Sequence, residues 1–291
     1  MKAHSPVVVG VDGSQSATDA AWWAAECASA RGAPLRIVTT MYVPGSYAVP
    51  IGMPPEFYNE QETAAKERLS AAAAHARLAA GEGLSIDTEL FTGPATATLL
   101  SQSETASMLV VGSRGLGEFT GGLLGSVSSA VVGHARCPVA VVKALAEPEG
   151  VTRRPVVVGV DGTRNSEPAI AEAYLEASLR KADLIAVHAW SDLTLPPRFS
   201  DDGLDWEPIQ SREAAALSES LAGYADDYPD VHVHSIVVRQ EPVKSLLEYS
   251  RRAQLVVVGS RGRGGFASML LGSTSRALLH SVSCPLLIVR A

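Results

Sequence analysis

The sequence predicts an α/β protein made of two tandem domains, each a doubly wound parallel sheet with helices on both faces. First, the chain repeats itself, because VVVGVDGS starting at Val7 returns as VVVGVDGT starting at Val156. Second, the separation between Gly112 and Gly259 recurs between other matched segments, which indicates duplication of a whole domain. Third, strand-like and helix-like runs alternate, which favours parallel strands joined by right-handed helical crossovers.

A polar stretch with two prolines divides the two copies. It reads KALAEPEGVTRRP from Lys143 to Pro155 and has the composition of an interdomain linker. We therefore expect a first domain over residues 1–143, a linker over 144–154 and a second domain over 155–291.

In the first copy, the opening elements have clear signals. Val7–Val11 is a β-branched run, typical of a strand buried on both faces. Ser14 and Ser16 are suitable N-caps for the alanine-rich helix that follows, and Gly32 can end it. Leu35–Met41 is the next apolar run and predicts a second strand.

A long helix and the rest of the series follow. Residues Pro44–Pro55 are rich in proline and glycine and indicate an irregular segment before a helix around Glu60–Ala80. The remaining elements are expected as a strand at Ser85–Phe91, a helix opened by proline at Pro94–Ser103, a strand at Met108–Val111, a helix at Gly125–Ala135 and a fifth strand at Pro138–Val142. The second copy repeats this order, with its irregular segment at Asp192–Pro208.

Composition and charge narrow the possible functions. Hydrophobic residues make up 46% of the chain and charged residues 19%, which favours packed globular domains over disorder. The formal net charge of -7 provides no basic field for a phosphate backbone. We therefore expect no nucleic-acid partner.

Cysteine usage and hydropathy indicate a cytoplasmic protein. The three cysteines, Cys27, Cys137 and Cys284, show no CxxC spacing, which fits a reducing compartment. The amino-terminal segment lacks the long apolar region of a signal peptide. No stretch approaches the roughly 20 apolar residues that span a bilayer, so no membrane contact is expected.

Each copy carries a glycine-rich loop where its fourth strand should end, and ligands of doubly wound sheets bind beyond the carboxyl ends of the strands. Glycine lets the main chain approach a ligand, successive N–H groups can surround an anion, and a helix amino terminus attracts phosphate. One such loop is equally well explained as a tight turn, but two copies with the same nine-residue spacer favour a phosphate site. The residues concerned are Gly112, Ser113, Arg114, Gly115, Gly125 and Ser126, and their mates Gly259, Ser260, Arg261, Gly262, Gly272 and Ser273.

An aspartate follows the first strand of each copy. Asp12 and Asp161 are expected at the mouth of the site, where a carboxylate accepts hydrogen bonds from a ribose or holds a metal through water. The alternative, a carboxylate that caps the following turn or helix, remains open because VDGS and VDGT suit that role. The sequence contains neither GxxxxGK[ST] nor a GxGxxG after a first strand, which argues against a P-loop and a dinucleotide site.

Together, these segments resemble the ATP-binding branch of the universal stress protein family. The resemblance rests on VVGVDGS, the G-x2-G-x9-G-S element and the closing CPV strand, and it covers both copies. It implies a five-stranded sheet in the order 3-2-1-4-5 in each domain, with ATP and magnesium across the ends of strands one and four. It also implies a nucleotide-dependent regulator of the bacterial stress response with an unknown protein partner.

The resemblance also assigns residues to parts of the nucleotide. Val38 and Val187 would hold the adenine through main-chain groups, and Asp12 and Asp161 would meet the ribose or the phosphates. Besides the two glycine-rich loops, the residues expected near the nucleotide are Gly10, Gly117, Val127, Gly159, Asp192, Gly264 and Thr274. A homodimer is expected as well, because the fifth strands of such proteins often pair at an otherwise exposed sheet edge.

Alternative functions remain open at this point. The chain can be a slow ATPase or an adenylyl-transferring enzyme, although the SGGxDS and HxGH signatures of related adenylating folds are absent from the sequence. It can also be a dimerising scaffold with vestigial nucleotide sites. A cyclic nucleotide such as cAMP in place of ATP is a variant of the leading hypothesis.

The two copies differ at positions near the expected ligand. Leu116 of the first loop is replaced by Arg263, and Glu118 by Gly265. The first loop is therefore less basic, and weaker ATP binding is expected there. His188 replaces a threonine of the first copy, and a histidine at a buried strand end is more often a structural residue than a ligand contact.

Overall fold

The computed structural model describes residues 5–41, 54–115, 124–143, 154–190, 207–239, 241–263 and 270–290. The chain divides into two units, Met1–Leu145 and Ala146–Ala291. Apart from Arg154, the expected linker over 144–154 lies outside the described residues. Within the described ranges, none of the helices is both long enough and apolar enough to cross a membrane.

The first unit alternates strands and helices around one parallel sheet. In chain order its described elements are β1 (Val7–Gly10), α1 (Gln15–Ala30), β2 (Leu35–Met41), α2 (Pro55–Ala80), β3 (Ile86–Thr92), α3 (Ala95–Gln102), β4 (Met108–Gly112), α4 (Ser126–His134) and β5 (Val139–Val142). The strands lie in the order β3-β2-β1-β4-β5, and each neighbouring pair is parallel. This is the expected 3-2-1-4-5 order.

The second unit repeats this architecture. Its described elements are β6 (Val156–Val160), a short 3-10 turn (Arg164–Ser166), α5 (Glu167–Arg180), β7 (Leu184–Ala189), α6 (Glu207–Leu221), α7 (Tyr224–Asp227), β8 (Val233–Val238), α8 (Pro242–Ser250), β9 (Leu255–Gly259), α9 (Ser273–Ser281) and β10 (Leu286–Val289). The strand order is β8-β7-β6-β9-β10, again parallel throughout. The predicted α/β class with two doubly wound parallel sheets is therefore confirmed. The 3-10 turn and the one-turn helix α7 were not expected.

Small apolar residues form the buried parts of the first strand and the first helix. Val7, Val8 and Val9 of β1 are fully buried, as a central strand covered on both faces requires. Helix α1 has alanine at most of its buried positions, and several of these are completely inaccessible to solvent: Ala20, Ala24, Ala25 and Ala28. The face of α1 that packs in the core is thus formed largely by short side chains.

The ends of α1 follow the predicted capping chemistry in part. The Ser14 side chain accepts the N–H of Ala17 at 3.2 Å, which confirms Ser14 as the N-cap. Ser16 lies inside the helix instead. Gly32 follows the helix with a left-handed φ of 60°, and Lys181 has a φ of 51° at the matching end of α5.

The strand register places the expected loops beside one another. Gly10 of β1 is paired with Val38 of β2 on one side and with Val111 of β4 on the other. Because the three strands are parallel and in register, the chain leaves all three at one edge of the sheet. That edge carries the aspartate turn and the glycine-rich loop.

Candidate functional site

A cavity of about 490 Å³ lies at the carboxyl ends of β1, β2 and β4. The turn after β1, the end of β2 and the loop between β4 and α4 all contribute to its walls. Of the residues expected from the sequence, the cavity lining contains Gly10, Asp12, Val38, Gly112, Arg114, Gly115, Gly125, Ser126 and Val127. Segments far apart in the first copy are thus brought into one cavity.

Asp12 is held by its own turn on the cavity wall. Its Oδ1 accepts the N–H of Ser14 at 2.9 Å, which is the turn-capping role. Its Oδ2 lies toward the glycine-rich loop, since a Cβ placed on Gly115 would be only 2.4 Å from that oxygen. The turn-capping interpretation is thus observed for Oδ1, and the contact of this aspartate with a ligand stays a prediction.

Hydroxyl groups fix the loop that follows β4. Ser128 Oγ donates to the carbonyl oxygen of Gly112 at 2.7 Å, and Ser16 Oγ donates to the carbonyl oxygen of Arg114. A side chain at Gly112 would meet the main chain of Ser16 at 2.8 Å, so this position requires glycine. Gly112 and Arg114, at the start of this loop, are thus held by contacts with α4 and α1 respectively.

The amino terminus of α4 opens onto this cavity. Its N-cap, Gly125, has no side chain that could bond to the N–H groups of the first turn. Gly125, Ser126 and Val127 all line the cavity. The Gly125 N–H donates to the Ser113 carbonyl oxygen at 2.9 Å, which leaves the N–H groups of Ser126 and Val127 for a ligand. N–H groups at the positive end of a helix dipole favour an anion, so this end of the cavity suits a phosphate.

The second unit has a matching cavity of about 480 Å³ at the ends of β6, β7 and β9. The expected residues on its lining are Gly159, Asp161, Val187, Gly259, Arg261, Gly262, Gly272, Ser273 and Thr274. Ser275 Oγ donates to the Gly259 carbonyl oxygen at 2.6 Å, as Ser128 does in the first unit. Helix α9 begins after Gly272, which likewise provides no side-chain cap.

The two carboxylate oxygens of Asp161 differ in their hydrogen bonds. Oδ1 accepts hydrogen bonds from the N–H and hydroxyl of Thr163, both at 2.8 Å, and from Ser166 Oγ at 2.6 Å. Oδ2 is buried and has no hydrogen-bond partner among the described residues. It lies 3.1 Å from the position of a Cβ on Gly262. A buried acceptor without a donor is costly, which is consistent with a ligand group reaching it.

A charged cluster without a counterpart among the described residues of the first unit lies beside the second cavity. The completely buried His188 ring has Nδ1 2.8 Å from the Val160 carbonyl oxygen and Nε2 2.8 Å from Glu213 Oε2. Arg263 Nη2 lies 3.2 Å from the same carboxylate oxygen. The hydrogen bond from His188 lowers the pKa of Glu213 from its ordinary value, with a further contribution from Arg263 that acts against burial. His188 is not among the described residues that line this cavity, and its structural role stays a prediction.

The two valines expected near the adenine line their cavities but are nearly inaccessible. Val38 is 1% exposed and Val187 is 2% exposed. The Val38 carbonyl oxygen already accepts the N–H of Val11 at 2.9 Å. These valines therefore define the apolar floor at the ends of β2 and β7.

Ser113 and Ser260 depart from the expectation that they bind phosphate. Both are buried, and neither is among the described residues that line these two cavities. The Ser113 N–H donates to the Val142 carbonyl oxygen at 2.8 Å, and that of Ser260 donates to the Val289 carbonyl oxygen at 2.7 Å. The main chain of each serine thus continues the strand contact, and a contact of its hydroxyl with phosphate stays a prediction.

Other expected residues cannot be placed. Gly117, Asp192 and Gly264 lie outside the described residues. Within the described ranges, no group of three or more His, Cys, Asp and Glu side chains is arranged to hold a metal ion.

Several lining residues were missed by sequence reasoning. Leu99 of α3 and Leu246 of α8 contribute matching apolar walls, and the internal repeat could have revealed them. Arg68 of α2 lines the first cavity, and Glu241 lines the second. A single charged residue on a long polar helix carries no signal in the sequence, so Arg68 could be found only from the structure.

The comparisons with known proteins agree with this architecture. The model of the universal stress protein family matches residues 4–143 and again 152–290. The universal stress protein Rv2005c of Mycobacterium tuberculosis is 41% identical, with 99% of this chain and 98% of that protein covered. A second protein of that organism, universal stress protein Rv1996, is 40% identical, with 98% of this chain and 94% of that protein covered.

A solved structure supports the fold independently. The crystal structure of a universal stress protein from Archaeoglobus fulgidus superimposes with a TM-score of 0.70 at 20% identity, covering 99% of this chain and 97% of that one. The two family-model matches and the relatives that align along nearly the whole chain lead to one conclusion. The chain is a tandem-domain member of the universal stress protein family.

Proposed function

We propose that each half binds one molecule of ATP with magnesium, and that the chain is a nucleotide-dependent regulator in the stress response. The observation that carries this proposal is the arrangement at each sheet edge. There an uncapped helix amino terminus, a glycine-rich loop and a strand-end carboxylate surround one cavity, and this arrangement occurs twice. Both cavities fall within the roughly 300–1,000 Å³ typical of small-molecule sites.

The phosphates are assigned to the loop and helix end. In the first half, the N–H groups of Ser126 and Val127 are the donors of the α4 amino terminus, and Arg114 adds positive charge on the lining. Close main-chain approach is possible because the neighbouring loop positions, Gly112 and Gly115, have no side chains. Several donors in one place suit a polyphosphate better than a single anionic group.

The ribose is assigned to the aspartate of each half. In the second half, Asp161 Oδ2 offers a buried acceptor that three hydrogen bonds on Oδ1 hold in place. A ribose hydroxyl is a donor of suitable size for it. In the first half, Asp12 has the matching position after the first strand. Magnesium would arrive with the phosphates, with these carboxylates available to bind its water ligands.

The base is assigned to the apolar part of each cavity. In the first half, Ala17, Val38, Ala95 and Leu99 provide that surface. A flat aromatic base buries its faces against such side chains without any charged partner. We therefore assign adenine to the surface formed by β2 and α3.

The regulatory role is proposed from family membership together with this site. The relatives that align along nearly the whole chain are named universal stress proteins, and the chain has the same two-domain extent. We place the protein in the cytoplasm as a homodimer, with nucleotide occupancy controlling an unidentified protein partner. Multi-angle light scattering of the purified protein tests the dimer directly.

The experiment that tests the ligand is to denature freshly purified protein and identify the released nucleotide by chromatography and mass spectrometry. ATP at one or two equivalents per chain supports the proposal, and cAMP alone would replace ATP as the ligand. ADP that accumulates in proportion to protein during incubation favours the slow ATPase. Protein that carries no nucleotide and gains no stability from added ATP favours the scaffold.

A further inference from the structure

Both halves place an arginine over the glycine that follows the strand-end aspartate, but the two arginines come from different elements. In the first half, Arg68 of α2 lies over Gly13, with Cγ and Cδ both 3.3 Å from a Cβ placed there. In the second half, Arg263 from the loop after β9 lies over Gly162, with Nη2 2.8 Å from the corresponding position. Each arginine also lines its cavity.

The two guanidinium groups differ in what neutralises them. Arg263 Nη2 lies 3.2 Å from Glu213 Oε2, and its Nε donates to the Asp161 carbonyl oxygen. Arg68 makes no hydrogen bond or ion pair with any described residue, although it lies on the lining of the first cavity. The charge of Arg68 is therefore available to a ligand, whereas that of Arg263 is already matched by a carboxylate.

The residue at the end of the second strand accounts for this difference. Thr39 Oγ1 donates to the Val11 carbonyl oxygen at 2.7 Å, and the His188 ring makes the equivalent contact with the Val160 carbonyl oxygen at 2.8 Å. The imidazole is longer than the threonine side chain, and its second nitrogen reaches Glu213. Threonine has no second group that could hold a carboxylate at this position in the first half.

The charges on the two linings differ in consequence. Among described residues, the first cavity is lined by the cations Arg68 and Arg114 and by the carboxylate of Asp12. The described charged lining of the second cavity is evenly balanced between Arg261, Arg263, Asp161 and Glu241. Counted over these described lining residues, the first cavity is the more positive one, and it should attract a polyanion more strongly.

We propose that Arg68 contacts the phosphates of the bound nucleotide and makes the first site the tighter of the two for polyphosphates. This inference rests on the proposed function, since it concerns the same ligand. It reverses the expectation from the loop sequence alone, in which the replacement of Leu116 by Arg263 made the second site more basic. The reversal follows because Glu213 forms an ion pair with Arg263 and is itself held by His188.

The test is a site-resolved titration of the full-length protein. 8-Azido-ATP is photo-cross-linked over a range of concentrations, and labelled peptides from each half are quantified by mass spectrometry. The wild-type first half should be labelled at lower concentration than the second. Arg68→Ala should weaken labelling of the first half by about tenfold, the loss of one charge-assisted hydrogen bond, and Arg68→Lys should restore part of it.

Matched variants test whether weaker labelling of the first half comes from losing the charge of Arg68. Arg77→Ala removes the same charge from an exposed position on α2 and should leave both halves unchanged. The double change Arg263→Ala with Glu213→Gln removes the cation together with its partner and should change second-half labelling by less than about twofold. Adenosine binding, measured by calorimetry, should be the same in wild type and Arg68→Ala, because adenosine has no phosphate.

The outcomes separate this inference from the proposed function. If the wild type binds ATP but Arg68→Ala loses no affinity, or loses it equally for adenosine, Arg68 is not a phosphate contact and the inference is wrong. Labelling of the wild-type second half at a lower concentration than the first half would overturn the inference as well. If the folded wild type labels at neither half, the proposed function itself has failed.

Discussion

A methyl group on Gly115 would lie 2.4 Å from Asp12 Oδ2, a distance at which the carboxylate must move. In the second half, the equivalent distance from Gly262 to Asp161 Oδ2 is 3.1 Å, which a small adjustment can relieve. The loop glycine and the strand-end aspartate are thus more tightly coupled in the first half.

This coupling predicts unequal effects of one substitution. Gly115→Ala should weaken nucleotide binding in the first half by roughly tenfold, because Asp12 loses its position and a hydrogen bond to the ligand. Gly262→Ala should weaken the second half by less than about threefold, as one adjustable contact implies. Site-resolved labelling measures both. Gly83→Ala, whose added methyl meets nothing within 4 Å, is the control. Equal losses in the two halves would show that the aspartate does not transmit the effect.

Alanine substitutions at a second pair of glycines should differ in their effect on the stability of the protein. A Cβ on Gly112 would lie 2.6–2.8 Å from Ser16 atoms that include its main chain, whereas a Cβ on Gly259 meets main-chain oxygens at 3.1 and 3.3 Å. Gly112→Ala should lower the free energy of unfolding by about 1–3 kcal/mol, the usual cost of an overpacked site. Gly259→Ala should cost less. Urea unfolding of the ligand-free proteins measures both changes. A larger loss of unfolding free energy for Gly259→Ala than for Gly112→Ala would contradict the geometry.

The contact between His188 and Glu213 predicts a pH-dependent contribution to stability. His188, and with it Arg263, holds the pKa of Glu213 below its ordinary value of 4.5, so the folded state binds this proton less readily than the unfolded chain. The resulting stabilisation is present above the ordinary pKa and is lost as the pH falls through the lowered one. Glu213→Gln should therefore lower the free energy of unfolding at neutral pH.

The same variant should converge with the wild type in acid. Urea unfolding at a series of pH values between neutrality and the acid range measures the difference between the two proteins, which should shrink below the ordinary carboxyl pKa. Glu219→Gln changes an exposed residue of the same helix and serves as the control. A difference that stays constant across the series would mean that Glu213 does not contribute through its ionisation.

The carboxyl end of α5 offers a test that is independent of any ligand. Lys181 has a left-handed φ of 51°, where the first copy has Gly32 with a φ of 60°. Lys181→Gly should raise the free energy of unfolding by about 1 kcal/mol, because this conformation disfavours a residue with a Cβ. Gly32→Ala should lower it, since its methyl meets no atom and only the backbone is strained. Chemical denaturation measures both, and stabilisation by Gly32→Ala would refute the backbone argument.

The fold could be predicted because its signals are local and repeated. The valine run of β1 and the N-cap Ser14 each act within a few residues, and the second copy repeats the pattern. Helix α2 begins at Pro55, before the expected Glu60, because proline is tolerated in the first turn and the preceding segment concealed the boundary. Helix α7 had no counterpart in the first copy from which to be inferred.

Cavity-lining residues could be expected from the sequence where they belong to one loop, but not where they come from distant elements. Gly112 and Gly125 were identified from their spacing. Arg68 and Glu213 were not, because their positions depend on how a long helix packs against its sheet. That the Ser113 N–H continues the strand contact could not be predicted, since the sequence does not show at which residue the pairing ends.

The most direct test of the central claim is the free energy of unfolding measured in urea against the concentration of ATP with magnesium. A ligand that binds only the folded state at about 100 times its dissociation constant adds about 2.7 kcal/mol per site. We predict a stability that rises with ATP up to millimolar concentration, with a smaller rise for Gly115→Ala. An unfolding curve of the nucleotide-free protein that stays unchanged throughout this range would contradict ATP binding at these cavities.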